Sequence, residues 1–197
     1  MSATEIKFGG FGGQGVILAG MIIGRAASIY DHKFATLTQS FGPEARGSAC
    51  SAQVIVSDEK ILYPYVTTPQ ILMVMSQEAC NKFLPETTDS ATVIIEEELV
   101  KPNGLKPAMK VFGIPATRFA EELGRKMILN IVMVGFFTAV TKILHVEAVR
   151  EAVKASVPKG TEDLNLEAFD RGYKYGGSLI QGQASPGPND APKGRRP

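Results

Sequence analysis

Cysteine is scarce in this chain. Cys50 and Cys80 are the only 2 among 197 residues, and no Cys-x-x-Cys pair occurs. A disulfide scaffold is excluded, and usage this sparse suits a reducing compartment. An iron–sulfur cluster takes about four thiolates, so the chain is not expected to hold one alone. Histidine is equally rare: His32 and His145 have no ligand-like spacing to each other or to the cysteines, and no metal site is expected. An excess of one charge is also lacking, since 21 Lys and Arg stand against 20 Asp and Glu for a formal net charge of +1. That balance argues against a nucleic-acid domain and against a polybasic membrane anchor. The longest apolar run, Met127 to Val140, is interrupted by Asn130 and falls short of the ~20 residues that span a bilayer. Met1 to Gly10 carry no basic-then-apolar signal pattern. A soluble, cytoplasmic protein is expected, with 44% hydrophobic residues able to bury a core without staples.

What is present alternates between apolar runs and turn signals, which reads as α/β. Glu5 to Phe8 predicts a strand entering the cluster Gly9-Gly10-Phe11-Gly12-Gly13-Gln14-Gly15, and Val16 to Tyr30 predicts a helix buried on most sides. Lys33 to Gln39 and Ser48 to Ser57 predict strands, the latter turning at Asp58-Glu59-Lys60 into a hairpin with Ile61-Leu62-Tyr63. Gln70 to Met75, Ala91 to Ile95 and Met109 to Phe112 are apolar runs of strand length, suited to a sheet covered on both faces. A short helix is expected from Glu78 to Phe83. Four more follow over Ala116 to Glu122, Lys126 to Thr141, Val146 to Ser156 and Asn165 to Tyr175. The expected fold is a three-layer α/β/α, Rossmann-like domain with a mostly parallel sheet and a helical C-terminal part, spanning residues 1–175. Gly176 to Pro197 holds five glycines and four prolines. It is expected to be a flexible tail in solution, extended across a partner subunit through Leu179-Ile180 and Arg195-Arg196.

The sharpest local signal is Gly10-Phe11-Gly12-Gly13-Gln14-Gly15. Its G-x-G-x-x-G spacing between a strand and a helix lets backbone amides at a helix N-terminus approach a phosphate. The dinucleotide fingerprint also wants a carboxylate at the end of the second strand, where this chain reads Thr38-Gln39-Ser40. Three readings of the loop therefore stand: close helix packing, a dinucleotide, or another phosphate or pyrophosphate. A second cluster, Gln39 to Gly47, is expected beside the loop, offering Ser40 and the forked donors of Arg46 to a phosphate, a carboxylate or a neighbouring chain. Glu96-Glu97-Glu98 reads as a solvated loop. No residue set suits nucleophilic or acid–base work, so no catalytic residue is assigned.

Taken together, Phe8 to Gly15 and Gln39 to Gly47 resemble the gamma subunit of the 2-oxoacid:ferredoxin oxidoreductases. Met75-Ser76-Gln77-Glu78-Ala79, Pro115-Ala116-Thr117-Arg118, Asn130-Ile131-Val132 and Asn165-Leu166-Glu167-Ala168-Phe169 extend the resemblance over residues 5 to 175. Ser76-Gln77-Glu78 and Pro115-Ala116-Thr117 are most similar to the 2-oxoglutarate type. The resemblance implies a complex that converts a 2-oxoacid and coenzyme A to acyl-CoA and CO2, passing electrons to ferredoxin or an NAD-linked acceptor. It implies that thiamine diphosphate and the iron–sulfur clusters belong to alpha, beta and delta-type partners, and that the isolated chain is inactive. It also gives Gly10, Phe11, Gly12, Gly13, Gln14, Gly15, Ser40 and Arg46 a ligand in coenzyme A. Ser48, Gln70 and the tail depart from the pattern, which leaves an aromatic 2-oxoacid such as phenylglyoxylate open as substrate. A free-standing nucleotide-binding oxidoreductase and a ligand-free assembly subunit remain as alternatives.

Overall fold

A computed structural model describes residues 3–40 and 49–182. Its centre is a six-stranded sheet of order β2-β3-β1-β4-β5-β6, built from Thr4–Phe11, Phe34–Ser40, Ala49–Ser57, Ile71–Val74, Thr92–Glu96 and Lys110–Ile114 as β1 to β6. Strands β1, β4, β5 and β6 pair in parallel. Strand β3 runs antiparallel to both β1 and β2, so β2 points the same way as β1. The sheet is thus mostly parallel in direction, with β3 as the exception.

That placement of β3 corrects two expectations. Ile61-Leu62-Tyr63 forms no hairpin with β3, because β1 and β2 already occupy both of its edges. The chain instead leaves Ser57 through an irregular connection whose Leu62, Tyr63 and Tyr65 are exposed. Nor does the end of β2 lie beside the glycine loop. Ser40 pairs with Ser51, which pairs in turn with Gly9, so two strand spacings, about 10 Å, separate them.

The helices are Val16–Arg25, Gln77–Phe83, Ala116–Glu122, Leu129–Thr141, Val146–Lys154 and Glu162–Ile180, here α1 to α6, with a π-helical turn at Ala26–Tyr30 prolonging α1. Alternation along β1 sends Ile6 and Phe8 into the core beneath α1, α4 and α6. Lys7, on the other face, is buried against the Phe83 ring, with Nζ 4.6 Å from its centroid, and pairs with Glu86. A smaller cluster under α2, with Leu72, Val74, Cys80, Phe83 and Val93, fills that second face. The layering is α/β/α, thick on one side and a single short helix on the other.

Helix α4 is buried along its length, from Leu129 to Ala139, which explains its almost unbroken apolar sequence. It crosses α6 backbone to backbone: a Cβ on Gly135 would collide with the Phe169 carbonyl, and one on Gly172 with the Val132 carbonyl. Helix α6 runs past Tyr175 to Ile180, so the expected tail begins as helix. Gly176 lies against Ala139 and Phe136 of α4, and Leu179 packs on the core rather than standing free as an anchor for a partner. The expected docking of Arg195 and Arg196 lies outside the described residues.

Glu96 also departs from expectation. Far from being solvated, its side chain is fully buried at the end of β5, accepting from Leu99 N–H at 2.6 Å and from Thr117 N–H, in the first turn of α3, at 3.2 Å. A buried carboxylate satisfied by backbone amides is a structural device. Its neighbour Glu97 is partly buried, and that desolvation, together with the Glu96 charge, pushes its carboxyl above the usual range.

Candidate functional site

Strand β1 continues through Phe11, so Gly10 and Phe11 are ladder residues and the turn itself is Gly12 to Gly15. Gly15 caps α1 in the left-handed region, φ 74°, and a Cβ there would strike the Asn130 carboxamide. Only glycine meets both demands. Its carbonyl accepts from Ala19 N–H at 2.9 Å and from Asn130 Nδ2 at 3.3 Å, which locks the head of α1 to the head of α4.

Gln14 turns inward. Its Oε1 accepts from Phe11 N–H at 2.7 Å, and its Nε2 donates to the Met75 carbonyl at 2.9 Å. The side chain fills the space where a Cβ on Gly10 would sit, Oε1 being 2.7 Å from that point. Met75 follows β4, and β1 and β4 are the parallel neighbours from which the chain winds outward in both directions. Their carboxyl ends border the crevice where open α/β sheets hold ligands. In this protein the Gln14 side chain bridges the two strand ends there.

The open side of the loop faces a different cleft of about 510 Å³. Gly13, Gly15 and Leu18 form one wall, Asn130 and Ile131 the floor, and Thr161, Leu164 and Asn165 the opposite wall, with Arg125 and Lys126 at the rim. These residues belong to the first turns of α1, α4 and α6, so three helix N-termini meet here. None has a side-chain cap. At α1 and α6 such first turns leave amide donors without intrahelical partners and bring partial positive charge to the cleft, whereas α4 runs on from the 3-10 turn Lys126–Ile128, whose Lys126 carbonyl accepts from Leu129 N–H. Glu162, in the first turn of α6, bends back to accept from Gly160 N–H at 2.6 Å. Lys126 pairs with Glu121 at 2.7 Å, a contact that raises its ammonium pKa. Arg125 has no carboxylate partner among the described residues.

Asn130 and Asn165 are the buried polar residues of the cleft, 2% and 5% exposed. Asn165 Nδ2 donates to the Thr161 carbonyl at 2.8 Å and to its hydroxyl at 3.1 Å. On the far side of the loop a smaller hollow of about 320 Å³ is lined by Phe11, Gly12, Gly13 and Cys50. The Cys50 thiol donates to the Gly10 carbonyl at 3.4 Å, and burial pushes its pKa up, so it is held as an unreactive thiol.

Of the residues expected at a site, Gly13 and Gly15 line the larger cleft, and Phe11, Gly12, Gly13 and Gly15 line the smaller hollow. Ser40 lines neither hollow, and Arg46 lies outside the described residues. Arg125, Lys126 and Asn165 carried no site assignment in the sequence. The available signal was polarity in the wrong place: Asn130 inside an apolar run, and Asn165 on the buried face of α6. Among the described residues, no group of three or more His, Cys, Asp or Glu could hold a metal ion, and no helix is long and apolar enough to cross a membrane.

Comparison with known proteins gives one consistent result. Residues 5–175 match the family model described as pyruvate ferredoxin/flavodoxin oxidoreductase. The chain is 45% identical over 177 residues to the 2-oxoglutarate synthase subunit KorC of Methanocaldococcus jannaschii, covering 89% of this chain and 95% of that one. In structure it resembles the gamma subunit of a keto/oxoacid ferredoxin oxidoreductase from Geobacter sulfurreducens, with a TM-score of 0.78, 35% identity and coverage of 88% and 98%. It shares its fold with a 2-oxoglutarate:ferredoxin oxidoreductase from Magnetococcus marinus, solved with 2-oxoglutarate, coenzyme A and succinyl-CoA, at TM-score 0.81 and 20% identity, covering 91% of this chain and 32% of that one.

Proposed function

The chain belongs to the pyruvate ferredoxin/flavodoxin oxidoreductase family, as a gamma subunit of the 2-oxoacid:ferredoxin oxidoreductases, and on that premise we propose that it serves a complex converting a 2-oxoacid and coenzyme A to acyl-CoA, CO2 and a reduced acceptor. 2-Oxoglutarate is the substrate assigned, supported by the 45% identity to a 2-oxoglutarate synthase subunit. In this reading thiamine diphosphate and the iron–sulfur clusters sit in alpha, beta and delta-type partners, ferredoxin or an NAD-linked carrier takes the electrons, and the complex works in the cytoplasm. The chain itself contributes no catalytic residue. It offers a surface for coenzyme A, which supplies the thiol that receives the acyl group.

One observation carries the coenzyme A contact: the uncapped N-termini of α1 and α6 that meet around Gly13 and Gly15 beside the cations Arg125 and Lys126. Amides at helix starts, together with a guanidinium that has no carboxylate partner among the described residues, suit a pyrophosphate. The dinucleotide-enzyme reading has the Gln14 bridge against it, because the crevice such enzymes use is occupied by the protein's own side chain. The test uses the purified chain and the assembled complex. The chain alone should show no decarboxylation, and coenzyme A should slow amide exchange at Gly13 to Leu18 within the complex. Turnover by the isolated chain would remove the subunit reading, and unchanged exchange at the loop would remove the coenzyme A contact.

A further inference from the structure

Strand β2 closes one side of the sheet, and its outer edge makes no backbone hydrogen bond among the described residues. Its 7 residues, Phe34–Ser40, pair with β3 without a bulge and contain neither a charge nor a proline. Proteins normally blunt an edge with one of those three devices. The opposite edge, β6, is shorter and begins at Lys110. Strand β2 is thus a bare template for a further strand.

The connection 58–70 crosses the sheet from β1 toward this edge. The Glu5 carboxylate accepts from Thr67 and Thr68 N–H at 2.7 and 2.8 Å, and the Thr36 hydroxyl donates to the Pro64 carbonyl at 3.3 Å. These bonds hold a segment without secondary structure so that its apolar side chains point outward. Leu62, Tyr63 and Tyr65 are 87%, 62% and 56% exposed, and Phe34, on the Thr36 face of β2, is 48% exposed. The two tyrosine rings meet edge to face at 5.5 Å. With the buried Ile55 they line a hollow of about 350 Å³. An exposed apolar patch of this kind marks an interaction site, and aromatic anchors beside a pocket are the usual centre of a protein interface.

The kind of partner follows from a relative with a longer chain. In the ketoisovalerate oxidoreductase subunit VorA of Methanothermobacter thermautotrophicus, 30% identical over 184 residues, 91% of this chain matches 38% of that one. A unit of this kind is there one part of a larger polypeptide. As a separate chain it has no covalent tether and must hold the corresponding partner by its surface alone. We infer that the β2 edge and its aromatic patch bind the subunit equivalent to that remainder, which adds an extended segment to β2 and seats an apolar side chain in the hollow. This placement rests on the subunit reading above and adds where the partner sits. Residues 183–197 of this chain are unsuited to the edge, because Pro186, Pro188 and Pro192 lack the N–H that a ladder needs.

Hydrogen exchange and cross-linking on the assembled complex test it. Amides of Phe34–Ser40 should exchange about tenfold or more slowly in the complex than in the full-length chain alone. A lysine cross-linker should join the exposed Lys60 to that larger subunit. Leu62→Ser combined with Tyr63→Ser should weaken assembly by about tenfold or more, while the isolated chain melts as wild type does. Unchanged exchange across β2 on assembly, or wild-type affinity in the folded double variant, overturns the inference and leaves the subunit reading standing. Cross-links from Lys60 to other chains alone overturn it too. So does a dimer of the isolated chain with β2 already protected, since a second copy would then be the occupant. If the chain enters no complex, the subunit reading falls and the inference with it. Should the double variant fail to fold, exchange and cross-linking in wild type decide.

Discussion

The Gln14 carboxamide donates to the Met75 carbonyl at 2.9 Å while accepting from the Phe11 amide at 2.7 Å, so one side chain joins the ends of two parallel strands. It satisfies a donor and an acceptor that water would otherwise reach. It also decides which side of the glycine turn is open.

Gln14→Ala should therefore cost about 1–3 kcal/mol of stability, the loss of two hydrogen bonds at a partly buried bridge, measured by urea denaturation. Gln14→Glu keeps an acceptor for Phe11 N–H but turns a carboxylate toward the Met75 carbonyl. It should be no more stable than the alanine variant at neutral pH and should recover as the pH falls. Equal stability of wild type and both variants would show that the bridge does not hold the turn.

Gly13 and Gly15 both have positive φ, 95° and 74°, yet alanine at the two positions should behave differently. Nothing lies within 4 Å of a Cβ on Gly13, whereas one on Gly15 meets Asn130. Gly13→Ala should cost about 1 kcal/mol from backbone strain alone. Gly15→Ala should cost clearly more, because it also pushes Asn130 off the Gly15 carbonyl. Denaturation midpoints of the two variants, compared side by side, check the order.

The raised carboxyl pKa of Glu97 has a definite sign in stability. Its folded value lies above the ordinary 4.5 because of burial first and the Glu96 charge second, so the folded state binds the proton more tightly than the unfolded chain. The contribution is fully present below the unfolded value and is lost as pH rises through the folded one. Glu97→Gln should raise the melting temperature at pH 7 relative to wild type and leave little difference at pH 4. A difference that is the same at both pH values would place the effect elsewhere.

Cys50 and Cys80 are both buried, and desolvation raises both thiol pKa values above the usual 9.0. Iodoacetamide at pH 7.5 should leave both unmodified in the folded protein and label both in urea, with mass spectrometry as the readout. Rapid labelling of native Cys50 would mean that the hollow beside Gly12 opens in solution.

How much of this could be read from the sequence depended on how far apart the cooperating residues lie. The parallel strands Ile71–Val74 and Thr92–Glu96 announced themselves as short apolar runs, and α4 as a longer one, because burial on all sides leaves no other composition. Strand β3 was visible as a strand, but its place between β2 and β1 depends on pairing partners that alternation does not name. Gly176 and Gly177 suggested the end of a helix, whereas Gly176 is small because α4 passes over it. Glu96 looked solvated because it sits among carboxylates, yet backbone amides satisfy it. The glycine turn was legible because its residues are consecutive. The cleft was not, because Asn130 and Asn165 become neighbours only when α4 and α6 cross.

That crossing also determines how the cleft can open. Most helix pairs are separated by side chains that can change rotamer and let the pair slide, but at Gly135 and Gly172 main chain lies on main chain, with nothing between to rearrange. The two helices therefore behave as one strut. To move the first turns of α4 and α6 away from the glycine turn, the strut must pivot as a whole on the segments that feed it, 124–128 before α4 and 157–161 before α6. Gly124 and Gly160 stand in those segments at positive φ, 82° and 85°, with no atom crowding either position. Both of these joints line the cleft, so a molecule seated there would touch each of them.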